Sequence, residues 1–151
     1  MTKIHVFFIV LGAIFLLIGG VWFVRGSSDE AILSRSGIHW HPRIEIIVGG
    51  KKQEIPENIG VGMQYIGMPT YEPSMRMTAL HTHEKDGIIH MEFPGRVTES
   101  DTQLQNFFRI WEKDPVVFGP LASVTINGKE TDRFLEYPMR DGDIIVMKYE
   151  N

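Results

Sequence analysis

The sequence contains no cysteine among its 151 residues. This absence excludes disulfide bridges, thiolate zinc sites, iron–sulfur clusters, a cysteine nucleophile and a lipid-modified cysteine anchor. The sequence also lacks a cluster of basic residues, because its 15 Lys and Arg are outnumbered by 19 Asp and Glu and its formal net charge is −4. A nucleic-acid-binding surface needs concentrated positive charge. We therefore expect no nucleic-acid partner.

Common enzyme motifs are missing as well. No Gly-x-Ser-x-Gly sequence provides the nucleophile turn of a serine hydrolase, and no Gly-Lys-Ser/Thr sequence provides a phosphate-binding loop. The pair Gly60-x-Gly62 lacks the third glycine of a dinucleotide-binding loop, because Tyr65 stands in its place. These absences exclude the enzyme classes that depend on those motifs.

A long apolar run occupies the start of the chain. In residues 4–24 the only strongly polar side chain is that of His5. At about 1.5 Å per residue, a helix over this run would be about 31 Å long and could cross the hydrocarbon core of a bilayer. A cleaved signal peptide has a shorter apolar region, roughly 7–15 residues, and a small-residue cleavage site, and neither is evident here. We predict that residues 1–25 are an uncleaved transmembrane signal anchor.

The short N-terminal tail predicts the orientation of this anchor. Lys3 precedes the apolar run and Arg25 follows it, so the distribution of positive charge favours one side only weakly. A very short tail generally stays in the cytoplasm. We expect a single-pass protein of the cell membrane, with a cytoplasmic N-terminus, a polar linker over residues 26–37 and an extracytoplasmic or periplasmic domain over residues 38–151.

The domain over residues 38–151 shows two hairpin signals, each a β-rich run, a glycine-containing turn and a second run. The predicted hairpins comprise residues 44–48 with 51–55 and residues 79–83 with 88–93. A turn-bounded strand is predicted over residues 123–126, followed by Asn127-Gly128 and Lys129-Glu130. A further strand is predicted over residues 143–149, whereas residues 57–78, rich in glycine and proline, read as a long irregular loop that is either functional or hides a further element.

One helix is indicated after the second hairpin. Apolar side chains recur there at helical spacing, at Leu104, Phe107, Phe108 and Trp111. Ser100 and Gln103 predict a capping box at the start of this helix. The order of strands and helix predicts an α+β domain with one main helix on a mixed or antiparallel sheet.

The second hairpin brings three histidines together. If residues 84–87 form its loop, His81 lies directly opposite His90, with Cβ atoms about 5 Å apart, and His83 lies close on the same face. Three imidazoles with an open fourth position are typical of zinc, copper and non-haem iron sites. A shift of one residue in the register would separate these rings. The sequence thus predicts His81, His83 and His90 as metal ligands.

Three further polar residues accompany this predicted cluster. His39 and His41 share one face of their strand, on the opposite parity from the apolar Trp40 and Ile44. We predict them as auxiliary ligands that either complete this site or close a second one. Glu92 shares a face with His90, and we predict it as a ligand or as a residue that orients one. Isolated His-x-His pairs are common on protein surfaces. Here, however, two such pairs and His90 place five of the six histidines within residues 39–90.

The sequence leaves the identity of the metal open between copper and zinc. Thioether sulfur selects Cu(I), and four methionines lie in the irregular loop, at Met63, Met68, Met75 and Met77. Methionine is also a common filler of protein cores. Three imidazoles suit zinc equally well.

Several motifs resemble an uncharacterised family of small membrane-anchored bacterial and archaeal proteins. The resemblance covers most of the chain after the anchor, and its most specific part combines an HxH motif with an HTHxxxGIIHxE motif. The segments that carry it are His39-Trp40-His41-Pro42, Ile55-Pro56-Glu57-Asn58-Ile59-Gly60, Leu80-His81-Thr82-His83, Gly87-Ile88-Ile89-His90-Met91-Glu92 and Phe107-Phe108-Arg109-Ile110-Trp111. Since the family has no established function, the resemblance implies no particular chemistry.

The C-terminal part resembles ubiquitin-like β-grasp domains such as sulfur carriers. The resemblance rests on residues 125–129 (TINGK) and 141–145 (DGDII), together with the order hairpin, helix, strands. Those carriers act through a C-terminal Gly-Gly, whereas this sequence ends in Tyr149-Glu150-Asn151. The resemblance therefore implies a β-grasp-like fold but no carrier activity.

Three functions follow from these patterns. The first is a membrane-anchored, extracytoplasmic protein that binds, buffers or delivers copper or zinc through a three-histidine cluster. The second is a metal-dependent enzyme in which such a site generates a hydroxide nucleophile. The third is a structural subunit that contacts other membrane proteins. Because no substrate pocket can be identified from the sequence, we expect metal binding rather than catalysis.

Overall fold

The structure is a computed structural model, and it describes residues 30–150. This part of the chain contains twelve β-strands and one α-helix, which confirms the predicted α+β class. The predicted anchor over residues 1–25 lies outside the described residues. Between residues 30 and 150, no helix is both long and apolar enough to span a bilayer.

The folded unit begins earlier than predicted. Strand β1 (Ile32–Ser34) pairs antiparallel with strand β9 (Val97–Thr98), and the compact unit starts at Ala31. The predicted linker over residues 26–37 is therefore wrong for its last residues. The reason is a short apolar stretch, Ala31–Leu33, which supplies a strand that the surrounding serines and charges conceal in the sequence.

A mixed five-stranded sheet forms the larger part of the domain. Its order is β4-β3-β12-β10-β11, in which β3 and β12 run parallel and all other neighbours run antiparallel. The strands are β3 (Arg43–Val48), β4 (Lys51–Gln53), β10 (Leu121–Ile126), β11 (Lys129–Glu130) and β12 (Ile144–Tyr149). This arrangement confirms the first predicted hairpin and the predicted strands over residues 123–126 and 143–149, and β10 and β11 form a further hairpin.

The turns of these two hairpins explain why the predictions hold. Gly49 and Gly50 have φ angles of 53° and 77°, and Asn127 and Gly128 have φ angles of 53° and 79°. Two central residues with positive φ define the turn whose twist matches that of antiparallel strands. Glycine and asparagine adopt such angles at low cost. The turn sequences therefore determine where both hairpins reverse.

The main helix, α1 (Leu104–Ile110), is also confirmed, but its predicted capping box is wrong. The helix begins at Leu104, after a short 3₁₀ turn over Ser100–Thr102, and its N-cap residue makes no side-chain capping hydrogen bond. Instead, the amides of Leu104 and Gln105 donate to the carbonyl oxygens of Tyr137 and Leu135. A neighbouring backbone segment thus satisfies the free amides of the helix.

A second, three-stranded sheet carries the histidines. Its order is β2-β8-β7, and its strands are β2 (Ile38–Trp40), β7 (Leu80–His81) and β8 (His90–Phe93). The alternation of side chains from Trp40 to Val48 resembles one continuous strand. The strand is interrupted at Pro42, however, because proline has no amide hydrogen to continue the ladder. As a result β2 and β3 belong to different sheets.

The segment predicted as a long irregular loop contains regular structure. Strands β5 (Tyr71–Glu72) and β6 (Met77–Thr78) form a two-stranded ribbon, and a 3₁₀ turn covers Met63–Tyr65. Thr78 lies at the end of this ribbon and immediately precedes Ala79 and β7. The ribbon therefore leads directly into the histidine-bearing hairpin.

The loop of that hairpin is fixed against the larger sheet. The amide of Ile44 donates to the carbonyl oxygen of Gly87 at 2.8 Å, and the amide of Ile89 donates to the carbonyl oxygen of Pro42 at 2.9 Å. Gly87 has a φ of 81°, and a Cβ at this position would lie only 2.3 Å from the carbonyl oxygen of Ile44. A glycine is therefore required where the two sheets meet.

Candidate metal centre

The register of β7 and β8 places two histidines opposite each other. His81 pairs with His90, and Leu80 pairs with Met91, which confirms the predicted register. The strands are shorter than the predicted runs 79–83 and 88–93, but the pairing is unchanged. The rings of His81 and His90 stack with an interplanar angle of 14° and centroids 5.5 Å apart.

His83 completes a first group of three imidazoles, which we call the inner triad (His81, His83 and His90). The Nε2 atoms of His81 and His83 lie 3.2 Å apart, and the rings of His83 and His90 have centroids 4.6 Å apart. One nitrogen from each of the three residues lies within 4.8 Å of the other two. Since His81 is fully buried and His83 is exposed, this triad extends from the interior to the surface.

A backbone contact fixes the ring of His81. Its Nδ1 lies 2.9 Å from the carbonyl oxygen of Thr78. A carbonyl oxygen only accepts, so Nδ1 carries the hydrogen and the neutral ring keeps a free electron pair on Nε2. This is the tautomer that binds a metal through Nε2, with the other nitrogen held by a backbone carbonyl, as is usual for metal-ligating histidines.

The spacing of the two Nε2 atoms fits a shared metal ion. Tetrahedral coordination with metal–nitrogen bonds of about 2.0–2.1 Å places neighbouring nitrogens about 3.3 Å apart. The observed separation between His81 and His83 is 3.2 Å. In the metal-free protein the same separation suits a hydrogen bond in which Nε2–H of His83 donates to Nε2 of His81. A metal ion would take the place of that hydrogen.

Burial favours the neutral form of two rings of the inner triad, His81 and His90. It lowers the pKa of His81 to about 4, an effect that neighbouring His83 reinforces and that the hydrogen bond to Thr78 partly opposes. The pKa of His90 is also lowered, first by burial and then by the nearby rings of His83 and His41. Neutral imidazole is the form that coordinates a metal, because a protonated ring has no free electron pair.

A second group of three imidazoles lies on the other side of His90. Strand β2 pairs with β8, so that His39 lies opposite Glu92. His39, His41 and His90 each offer a nitrogen within 4.8 Å of the other two, and we call them the outer triad. The ring centroids of His41 and His90 are 4.9 Å apart, and those of His39 and His41 are 4.7 Å apart.

Carboxylates support the outer triad rather than completing the inner one. Oε1 of Glu92 lies 3.2 Å from Nε2 of His39. Oδ1 of Asp141 accepts a hydrogen bond from the amide of His41 at 2.8 Å and lies 3.8 Å from Nδ1 of the same ring. Glu92 is therefore placed to orient His39, one of the two roles predicted for it.

Two of these supporting residues were not identified from the sequence. Asp141 lies 100 positions from His41 and reads as an ordinary turn residue next to Gly142. Thr78 contributes only its backbone carbonyl, which no side-chain pattern reveals. The contact of Asp141 has no local signal because it joins distant segments, whereas the contact of Thr78 is local but involves only the backbone.

The four methionines of the predicted loop over residues 57–78 are not members of the two histidine groups. Met63 and Met75 are exposed, and the sulfur of Met63 lies 3.9 Å from the hydroxyl of Tyr71. Met77 belongs to β6, one residue before Thr78. A contribution of sulfur to the site therefore stays a prediction.

Comparisons of the chain with protein-family models, with curated proteins and with solved structures found no match. The class of the site is therefore defined by its own geometry. It is a group of five histidines on a small antiparallel sheet, arranged as two triads that could each hold a metal ion.

Proposed function

We propose that the protein is a membrane-anchored, extracytoplasmic protein that binds copper or zinc through His81, His83 and His90, and that buffers or delivers this ion. The observation that carries the proposal is the approach of two Nε2 atoms to 3.2 Å, with the third imidazole nitrogen within 4.8 Å of both. Borderline ions such as Zn²⁺ and Cu²⁺ favour neutral imidazole ligands.

The environment of the triad favours binding at neutral pH. His81 is buried, fixed by the carbonyl of Thr78 and neutral, so little reorganisation precedes coordination. His83 is exposed, which leaves one side of the ion open to water or to a ligand from a partner. Three protein ligands and an open position permit exchange of the ion, which buffering and delivery both require.

Two sequence features support the location of the protein, and the topology of the five-stranded sheet supports its fold. The apolar run over residues 4–24 supports the anchor, and the motifs around the five histidines support a relationship to small membrane-anchored bacterial and archaeal proteins. In the five-stranded sheet, the first and last strands in chain order lie side by side at the centre and run parallel. This arrangement supports a β-grasp-like domain.

The test is metal binding by the purified full chain. Titration with Zn²⁺, Cu²⁺ and, under reducing conditions, Cu⁺ should give one bound ion per chain and show which ion binds most tightly. His83→Gln and His81→Gln should each weaken binding by at least about a hundredfold, because removing one of three ligands leaves an incomplete site. His5→Gln, outside the domain, is the matched control.

Because His83 is exposed, a loss of binding in His83→Gln would not result from misfolding. His81 is fully buried, so its substitution could also disturb packing, whereas His83→Gln alters a surface ring. Circular dichroism should show the same folded spectrum for wild type and His83→Gln. Wild-type protein that binds none of the three ions, or His83→Gln with unchanged affinity, would contradict the proposal.

A further inference from the structure

The inner and outer triads share one residue. His90 belongs to both groups, and each group needs it to reach three ligands. Among the described histidines, removing His90 leaves only the pair His39 and His41 on one side and the pair His81 and His83 on the other. A neutral imidazole has one free electron pair and binds one ion at a time, so a neutral His90 makes the two triads alternative sites for one ion.

The shared residue lies in the middle of a continuous series of rings. Successive centroid distances are 4.7 Å from His39 to His41, 4.9 Å to His90, 4.6 Å to His83 and 4.7 Å to His81. No step in this series exceeds 5 Å. An ion can thus gain a new imidazole ligand at each step before it loses an old one.

The two ends of this series differ in exposure, although His83 within it is also exposed. The side chains of His39 and His41 are 65% and 41% exposed, whereas His90 is half-buried and His81 is 0% exposed. Water can reach the outer triad freely, and the inner triad ends in the interior. We call the exposed end of the series, at His39 and His41, the entrance, whereas the other end, at His81, lies in the interior.

Negative charge is concentrated at the entrance. Glu92 contacts His39, and Asp141 contacts both the amide and the ring of His41. Carboxylates within a few ångströms of the outer rings attract a cation and raise its local concentration. The ring of His81, by contrast, makes polar contacts with a neutral backbone carbonyl and with another imidazole.

We infer that the outer triad receives the metal ion and passes it to the inner triad by ligand exchange at His90. This inference rests on the proposed function. The ion keeps its charge and its bond to His90, and bonds from His81 and His83 replace those from His39 and His41. His83 releases the hydrogen from Nε2 and takes one from water on Nδ1, so its ring stays neutral.

The test measures the stoichiometry and the rate of binding of Co²⁺, whose visible absorption reports its coordination by nitrogen. The full chain should bind one Co²⁺. The double variant His39→Gln/His41→Gln should still bind one ion, because the inner triad is intact. Its association rate should fall by at least about tenfold, because the two exposed imidazoles that first bind the ion are lost. His90→Gln should bind Co²⁺ far more weakly than either, since it belongs to both triads.

His83→Gln supplies the complementary variant. It keeps the outer triad, so it should bind Co²⁺ quickly but weakly, with an absorption spectrum different from that of wild type. His39, His41 and His83 are all exposed, so circular dichroism should show intact folding for the double variant and for His83→Gln.

The outcomes separate this inference from the proposed function. Two Co²⁺ ions per wild-type chain would overturn the exchange mechanism, because His90 would then bridge two filled sites. An unchanged association rate in the double variant would also overturn it and leave the inner metal site standing. A wild-type chain that binds no Co²⁺ and none of the ions tested above would overturn both.

Discussion

The two larger sheets of the domain differ in the polarity of the side chains that they bury. In the five-stranded sheet the inward side chains are apolar, and Ile44, Ile46 and Met147 have no exposed surface. In the three-stranded sheet a fully buried position is a histidine, and its ring needs both Thr78 and His83 as partners. Burying a polar group costs free energy unless its hydrogen bonds are satisfied. The larger sheet therefore supplies stability, and the smaller sheet gives up some of it to present ligands.

The largest expected effect lies in the five-stranded sheet. Ile46→Ala should lower the free energy of unfolding by about 2–5 kcal/mol, because it removes a fully buried side chain and leaves a cavity. Ile144→Ala, at a half-exposed position of the parallel strand, should change it by less than about 1 kcal/mol. Urea unfolding of the full chain measures both. Equal losses would contradict the role given to burial in this sheet.

Acid should act mainly on the three-stranded sheet. Burial lowers the pKa of His81 to about 4 from its ordinary value of 6.5, so between these pH values the unfolded chain binds a proton that the folded chain does not. Stability should therefore decrease as the pH falls through this range, by up to about 3 kcal/mol for this residue.

The contribution of His81 to this pH dependence can be isolated by substitution. His81→Gln should flatten the dependence of the free energy of unfolding on pH between 6.5 and 4, whereas His39→Gln at an exposed position should retain it. The metal-free full chain is the material to use, since a bound ion would compete with protons. An identical slope in wild type and His81→Gln would contradict the role given to burial.

Gly87, at the junction between the two sheets, has a matched control in Gly95, which lies elsewhere. Gly87 and Gly95 have φ angles of 81° and 79°, but a Cβ meets the backbone of Ile44 at Gly87 and nothing within 4 Å at Gly95. Gly95→Ala should cost about 1–2 kcal/mol for the left-handed conformation alone. Gly87→Ala should cost clearly more and should also weaken metal binding, because the histidine hairpin must move away from β3. Equal effects on unfolding and metal affinity would contradict this role of the junction.

The smallest expected effect concerns the carboxylate of the outer triad. Glu92→Gln keeps the size of the side chain that contacts His39 but removes its charge. Equilibrium affinity for Zn²⁺ should fall by less than about tenfold, because Glu92 contacts a ring of the outer triad and not one of His81 and His83. A loss as large as that of His83→Gln, measured by competition with a chelator, would show instead that Glu92 coordinates the ion.

Much of the fold follows from local sequence. The hairpins at Gly49-Gly50 and Asn127-Gly128 are predictable because these residues accept the positive φ angles that the turns require. The parallel pairing of β3 with β12 is not predictable in the same way. It joins residues about a hundred positions apart, and no local pattern indicates which strands will be neighbours.

The site shows the same division. The facing of His81 and His90 could be predicted because a short loop fixes the register of the hairpin. His39 and His41 could be predicted as auxiliary ligands, but their contact with His90 could not, because the alternation from Trp40 to Val48 resembles a single strand and hides its interruption at Pro42. The contact of Asp141 with His41 depends on tertiary packing, and the contact of Thr78 with His81 uses a backbone carbonyl that no side-chain pattern reveals.

The most direct test of the central claim is a crystal structure of the zinc- or copper-loaded chain, with anomalous diffraction recorded at the absorption edge of the metal. We expect one anomalous peak at about 2.0–2.1 Å from the Nε2 atoms of His81 and His83, with a ring nitrogen of His90 as the third ligand. A peak bound by other residues, or loaded crystals with no peak beside these three rings, would contradict the account.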